Sequence, residues 1–217
     1  MNPPARRTGR PRSAEADRAI LDATRAALVE LGWSKVSMGD VAARAGVAKT
    51  TLYRRWANKN ELVVDAVAAV FDEGLELPDL GCLQADIEAV VLSFARLLAL
   101  PETRTALMAV VAESTRDPAL RDRIRTAIVD RQKRLVLVGR ERAQERGELP
   151  REQDPETAAR TADLIFDMIA GAVVHRVLVS AEPVDTEWAR GFTALLLHGL
   201  AAGLTLAPSG ARPPRND

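Results

Sequence analysis

The seven residues Lys49-Thr50-Thr51-Leu52-Tyr53-Arg54-Arg55 hold three cations, two threonine hydroxyls, a phenol and no acid. Such side chains on one short helix suit a nucleic acid. Thr and Tyr hydroxyls bond phosphate oxygens, and Lys and Arg meet guanine O6 and N7 in the major groove. The unpaired N–H groups of a first helical turn also favour phosphate. Lys59 follows close behind. A second basic run, Arg6-Arg7-Thr8-Gly9-Arg10-Pro11-Arg12, places four arginines in seven residues, again without an acid.

The charge of the whole chain sharpens this reading. Its 217 residues have a formal net charge of zero. Residues 1–60 nevertheless carry 12 Lys+Arg against 5 Asp+Glu, and residues 61–217 carry 18 against 25. A basic N-terminal unit is therefore joined to an acidic remainder, which implies a polyanionic partner for the former. Other chemistries find less support. Gly46-Val47-Ala48-Lys49-Thr50-Thr51 lacks the glycine before lysine, and the preceding strand, of a phosphate-binding loop. His175 and His198 have no Cys, Asp or Glu at metal-ligand spacing, and their default role is packing or interface. No nucleophile–base pair can be assembled, so no enzyme, cofactor or metal site is expected. Cys82 is the single cysteine, which fits a reducing cytoplasm. No run reaches the ~18 apolar residues of a membrane helix, so no membrane partner is expected.

The elements that must position these side chains are helices. Aliphatic residues dominate and aromatics make up 4%. No segment alternates apolar and polar residues, so the expected fold is all-α. Ser13 reads as the cap of a first helix with an apolar face through Ile20, Ala23, Ala27 and Leu31, stopped at Gly32. Ser37 caps a second helix, with Asp40 at the capping-box position but shorter than the usual Glu. Gly46 turns the chain into Lys49–Trp56. Asn58 and Glu61 begin a fourth helix as a proper box. Trp33 and Trp56 flank the turn as core anchors. Pro78 and two glycines mark Glu73–Cys82 as a linker. Longer helices are predicted over 83–100, 102–116, 118–148, 155–181 and 186–206, with arm and tail segments at 1–12 and 208–217.

Helix, Gly46 turn and short second helix have the spacing of a helix-turn-helix. Val36 to Leu62, "VSMGDVAARAGVAKTTLYRRWANKNEL", resembles the DNA-binding segment of the TetR (tetracycline-repressor-like) family of transcriptional regulators. The likeness lies in the small-residue helix, "AGV", "TLY" followed by Trp56, and Asn-Lys-x-Glu-Leu, and extends over about 50 residues. It implies a three-helix DNA-binding domain (13–58), a connecting helix and linker (59–82), and a helical ligand-binding and dimerisation domain (83–207). By this resemblance Lys49, Thr50 and Arg54 sit where the family reads bases. Ser37, Thr51, Tyr53, Arg55 and Lys59 sit where it holds phosphates. Gly39 departs from members with a long polar residue there. Gly9-Arg10-Pro11 resembles the core of the AT-hook, so Arg10 and Arg12 are candidates for the minor groove beside the head.

The resemblance further implies a homodimer on palindromic double-stranded DNA, released by a small molecule. The last two helices would pair across the dimer, through Ile169, Val173, Val177, Phe192, Leu196, Gly199, Leu200 and Gly203. The effector pocket is expected at Leu97, Met108, Val111, Leu135, Val138 and Phe166, with Asp167 meeting a cationic group or pairing across the interface. An aliphatic lining suits an apolar or amphipathic effector. Repressor and activator remain open, as does a helical adaptor whose basic helix is incidental.

Overall fold

The computed structural model describes the backbone of residues 11–151 and 154–205. Among these residues there are helices and no strand. In order they are α1 (Pro11–Lys35), α2 (Met38–Arg44), α3 (Lys49–Tyr53), α4 (Lys59–Gly74), α5 (Leu83–Ala99), α6 (Pro101–Ser114), α7 (Pro118–Ile124), α8 (Asp130–Glu145), α9 (Pro155–Val174) and α10 (Thr186–Thr205). Wider π-helical turns, Arg125–Val129 and His175–Val179, follow α7 and α9. None of the described helices is long and apolar enough to cross a membrane. The terminal segments 1–10 and 206–217 lie outside the described residues.

Local signals account for most helix ends. Pro101, Pro118 and Pro155 open their helices at the first helical position, where a fixed φ helps and the missing N–H costs nothing. The same rule corrects the start of α1. The helix begins at Pro11 rather than after a Ser13 cap, so Arg12 belongs to its first turn instead of to an arm. Gly32, at φ 73°, interrupts α1 as expected. Around α2 the expected weak box is complete: Ser37 N–H donates to Asp40 Oδ2 at 3.0 Å, and Asp40 N–H donates to Ser37 Oγ at 3.3 Å.

α1, α4 and α6 pack against one another, and α4 also meets the π-turn after α7. One apolar core therefore runs from the small N-terminal helices into the long ones. Ile20, Leu28, Val41, Leu52 and Leu62 fill its N-terminal end, and Val67, Val91, Leu98, Val110 and Val173 continue it. Each such side chain contributes about 1.5–3 kcal/mol on full burial. The predicted linker is only partly loose. Helix α4 runs to Gly74, and the following turns are pinned by α8 and its C-cap: Arg142 donates to Leu77 O at 3.2 Å and Arg146 to Asp79 at 2.9 Å. Cys82 is exposed at the start of α5.

A polar hub joins the two ends of this core. Asp65 of α4 accepts from the Trp56 indole N–H at 2.9 Å and from Arg123 of α7 at 2.7 Å. Trp56 is 6% exposed, so its donor has little water to fall back on. Asp65→Ala is expected to cost about 1–3 kcal/mol, the effect of orphaning a buried donor. Arg123→Ala, losing a half-exposed pair, should cost under about 1 kcal/mol. Denaturant midpoints measure both, and equal losses would remove the hub role from the indole bond.

Candidate nucleic-acid interface and internal cavity

α2 and α3 meet through a turn that the sequence specifies closely. Val47 N–H bonds Ala42 O at 3.0 Å and Gly46 N–H bonds Ala43 O at 3.3 Å, the paired bonds of a Schellman motif. Gly46 holds φ 65°, which a side chain would strain. Val41, Ala42 and Leu52 are buried between the helices. With Leu52 turned inward, Lys49, Thr50, Tyr53 and Arg54 are all left exposed on the opposite face.

The expected DNA-contacting set divides on inspection. Lys49 and Arg54 have no ion pair among the described residues, and Tyr53 is 55% exposed. Thr51 is half-buried. Three members of the expected phosphate-holding group are already engaged inside the head. Ser37 Oγ donates to Asp40 at 2.6 Å. Arg55 forms an ion pair with Asp17 of α1. Lys59 donates to Trp33 O at 2.7 Å and sits 4.5 Å from the Trp33 ring centre. These three brace α2, α3 and α4 before any phosphate arrives. Arg10 lies outside the described residues, and only the backbone of Arg12 is described.

The charges on α2 are taken up within the head. The hydroxyl and backbone N–H of Ser37 hold the Asp40 carboxyl below the ordinary aspartate range. A depressed carboxyl contributes stability above its unfolded pKa and loses it as pH falls through the folded one. Arg44 is similarly occupied by Glu30 of α1, which lowers the Glu30 carboxyl. Gly39 leaves room beside α3, because a Cβ there would lie 2.9 Å from Lys49 Cε and Nζ. Gly39 therefore bears on where the Lys49 side chain can lie.

The long helices enclose a cavity of about 300 Å³. Phe71, Ile87, Phe94, Ile128 and Val174 supply much of its wall, with the Phe71 and Phe94 rings edge to face at 5.7 Å. Of the expected pocket residues, Met108, Val111, Leu135 and Phe166 line it. Leu97, Val138 and Asp167 do not. Leu97 packs over Gly74 at the end of α4, and Val138 and Asp167 face outward. Three polar lining residues were missed: Asp86, Gln132 and Arg140. A signal for one was present. Gln132 falls in helical register with the apolar face Ile128, Val136, Gly139 and Ala143, where a polar residue needs a reason.

The expected dimer residues need a comparable correction. Ile169, Val173, Leu196 and Leu200 are buried within the chain itself, and Ile169 and Leu200 line the cavity. Val177 and Phe192 are half-buried, with Phe192 stacked on Trp188 at 5.2 Å. Gly199 does face outward, while only the backbone of Gly203 is described. The open sides of the two helices carry Leu164, Asp167 and Gly171 on α9, and Gly191, Leu195, His198 and Gly199 on α10. Leu195 is 77% exposed and Leu164 55%. Both histidines are exposed, His198 on this open side, so of the two expected roles packing inside the chain is the one they do not take. The sequence did not separate buried from open positions here because both helices are apolar on more than one side, and periodicity alone does not say which side turns inward.

Comparison with known proteins places this geometry. Residues 20–66 match the profile of bacterial regulatory proteins of the tetR family, and residues 77–196 that of the tetracyclin repressor-like C-terminal domain. An uncharacterised HTH-type transcriptional regulator of Bacillus subtilis is 29% identical over 195 residues, 89% of this chain and 94% of that protein. A DNA-binding transcriptional repressor TetR of Mycobacteroides abscessus is 33% identical over 171 residues, 77% of this chain and 84% of that protein. The crystal structure of a TetR-family transcription regulator superposes with a TM-score of 0.68 at 27% identity, over 85% of this chain and 98% of the other.

Proposed function

Since the chain belongs to the TetR family of DNA-binding, helix-turn-helix transcriptional regulators, we propose that it is a ligand-responsive repressor. It acts as a homodimer on a palindromic operator and leaves it when a small molecule binds. The observation that carries this reading is the outward face of α3, where Lys49, Thr50, Tyr53 and Arg54 are exposed on a head braced from behind. Residues 13–58 serve as the head, 59–82 as the connector and 83–207 as the ligand-binding and dimerisation part. Lys49, Thr50 and Arg54 read bases. Tyr53, with Thr51 at its flank, holds phosphate.

The dimer forms through the open sides of α9 and α10. Beyond their own helix and chain neighbours, Gly171, Gly191 and Gly199 have no atom of the described residues within 4 Å of where a Cβ would stand. Each costs a helix about 1 kcal/mol relative to Ala, and packing within the chain gives no return for it. Close approach of a second copy does. Asp167, on the same open side, then faces the partner rather than the effector.

The cavity is the effector site, and the hub at Asp65 is its connection to the head. Ile124 and Ile128 line the cavity, Arg123 adjoins Ile124, and Asp65 carries Arg123 to Trp56 behind α3. A ligand that shifts this segment changes how the heads are held. It weakens DNA binding by its differential affinity for the two states, about 1–3 kcal/mol in typical cases. Selection of bound duplexes from a random pool tests the whole reading. The expected result is a palindrome with half-sites about 34–36 Å apart, one DNA turn. Enrichment of a single asymmetric site, or of none, would count against it.

A further inference from the structure

We propose that the cavity takes an uncharged amphiphile whose single polar head carries an O–H or N–H donor, met by the carboxamide of Gln132. The inference deepens the reading of the cavity as the effector site and rests on it.

Gln132 is 9% exposed and lies on the cavity wall among apolar side chains of α8 and its neighbours. Its Oε1 is buried and has no hydrogen-bond donor among the described residues. Buried polar atoms in folded proteins are nearly always satisfied, because desolvation without a partner is costly. A ligand donor aimed at Oε1 supplies that bond at the moment the cavity fills.

The charged groups of the wall argue against an ionic ligand. Asp86 is fully buried, but Leu80 N–H at 2.7 Å and Arg146 at 2.9 Å already hold its carboxylate. Arg140 also has a partner. Neither the acid nor the base of the wall stands free, so an incoming ion would be desolvated and would have to compete with contacts already made. The way in is apolar as well. Met108 and Val111 of α6 line the cavity and are each 44% exposed, which places its opening beside them. A neutral head and an apolar body fit all three observations. A hydroxyl suits the carboxamide best, since it donates to Oε1 and accepts from Nε2.

Four probes sharing one octyl chain test this by calorimetric titration of the full chain: octan-1-ol, octyl methyl ether, octanoate and octylammonium. Octan-1-ol is expected to bind about tenfold more tightly than the ether, the value of one hydrogen bond to a group otherwise left unsatisfied, and more tightly than either ion. Gln132→Leu should bring alcohol and ether within about twofold of each other and leave the melting temperature of the free protein unchanged or raised. Gln132→Glu, of equal size, should shift preference to octylammonium. Tightest binding of octanoate, or an alcohol preference that survives Gln132→Leu, would overturn the assignment while leaving the cavity an effector site. Binding of none of the four by the unmutated protein would overturn the effector-site reading itself, and this inference with it.

Discussion

Leu195→Glu is expected to give a folded monomer that no longer holds a palindromic operator. Leu195 is 77% exposed on α10, between the open glycines 191 and 199, so the chain itself loses almost nothing by the change. Surface substitutions of this kind stay within about 0.5 kcal/mol. In a two-fold dimer the same patch faces its own copy. Each association would then bury two new carboxylates among apolar groups without partners, which is unfavourable by several kcal/mol. Once the heads are unlinked, the second half-site is no longer bound as an intramolecular event. Operator affinity should fall by about 10²–10⁴-fold. Sedimentation at micromolar concentration and filter binding to the operator measure the two effects. The control is the adjacent residue. Leu196 is 4% exposed and packs in the chain's own core, so Leu196→Glu should unfold the protein instead. A Leu195→Glu protein that remains dimeric would remove the open side of α10 from the interface.

Arg54→Ala should weaken operator binding by about 1–3 kcal/mol per half-site, or about 2–6 for the dimer, if Arg54 meets a guanine edge bidentately. Arg54 is exposed and outside every described ion pair, so thermal stability should not move. Lys59→Ala is the informative contrast. Its ammonium bonds Trp33 O and lies over the Trp33 ring. Loss of the two contacts should cost the fold about 1–2 kcal/mol. Any weakening of DNA binding should then be alike for operator and random duplex. Competition binding of both variants against operator and random duplex, at two salt concentrations, separates base reading from phosphate holding. If Arg54→Ala weakened operator and random duplex equally, Arg54 would be a phosphate contact. If Lys59→Ala lowered only operator affinity at unchanged stability, its bracing role would be wrong.

The two cases turn on the same physical distinction. The family resemblance places Ser37, Arg55 and Lys59 where related proteins hold phosphates. Whether a cation is available depends on what stands opposite in the folded chain. Asp17 lies 38 positions before Arg55, and the Trp33 carbonyl 26 before Lys59. Neither pairing leaves a local pattern. The cavity tells the same story: Met108 and Leu135 were legible as lining residues, but periodicity did not exclude Leu97 and Val138.

What the sequence determined by itself is what nearby residues decide among themselves. The helix starts at Pro118 and Pro155, the Ser37 and Asn58 caps and the Gly46 turn all depend on contacts within a few positions. They were readable as residue types at fixed spacing, and with them came the head, its basic character and the family. The tertiary structure decided which flank of each apolar helix turns inward, and it did so by competition for one shared core. That choice buries Ile169, Val173, Leu196 and Leu200, leaves Leu164 and Leu195 in the open, and sets Gln132 against a cavity wall. It also closes the Trp56–Asp65–Arg123 link, whose ends are 67 residues apart. Helical periodicity is symmetric with respect to inside and outside when both flanks are apolar, and only packing against distant helices breaks that symmetry.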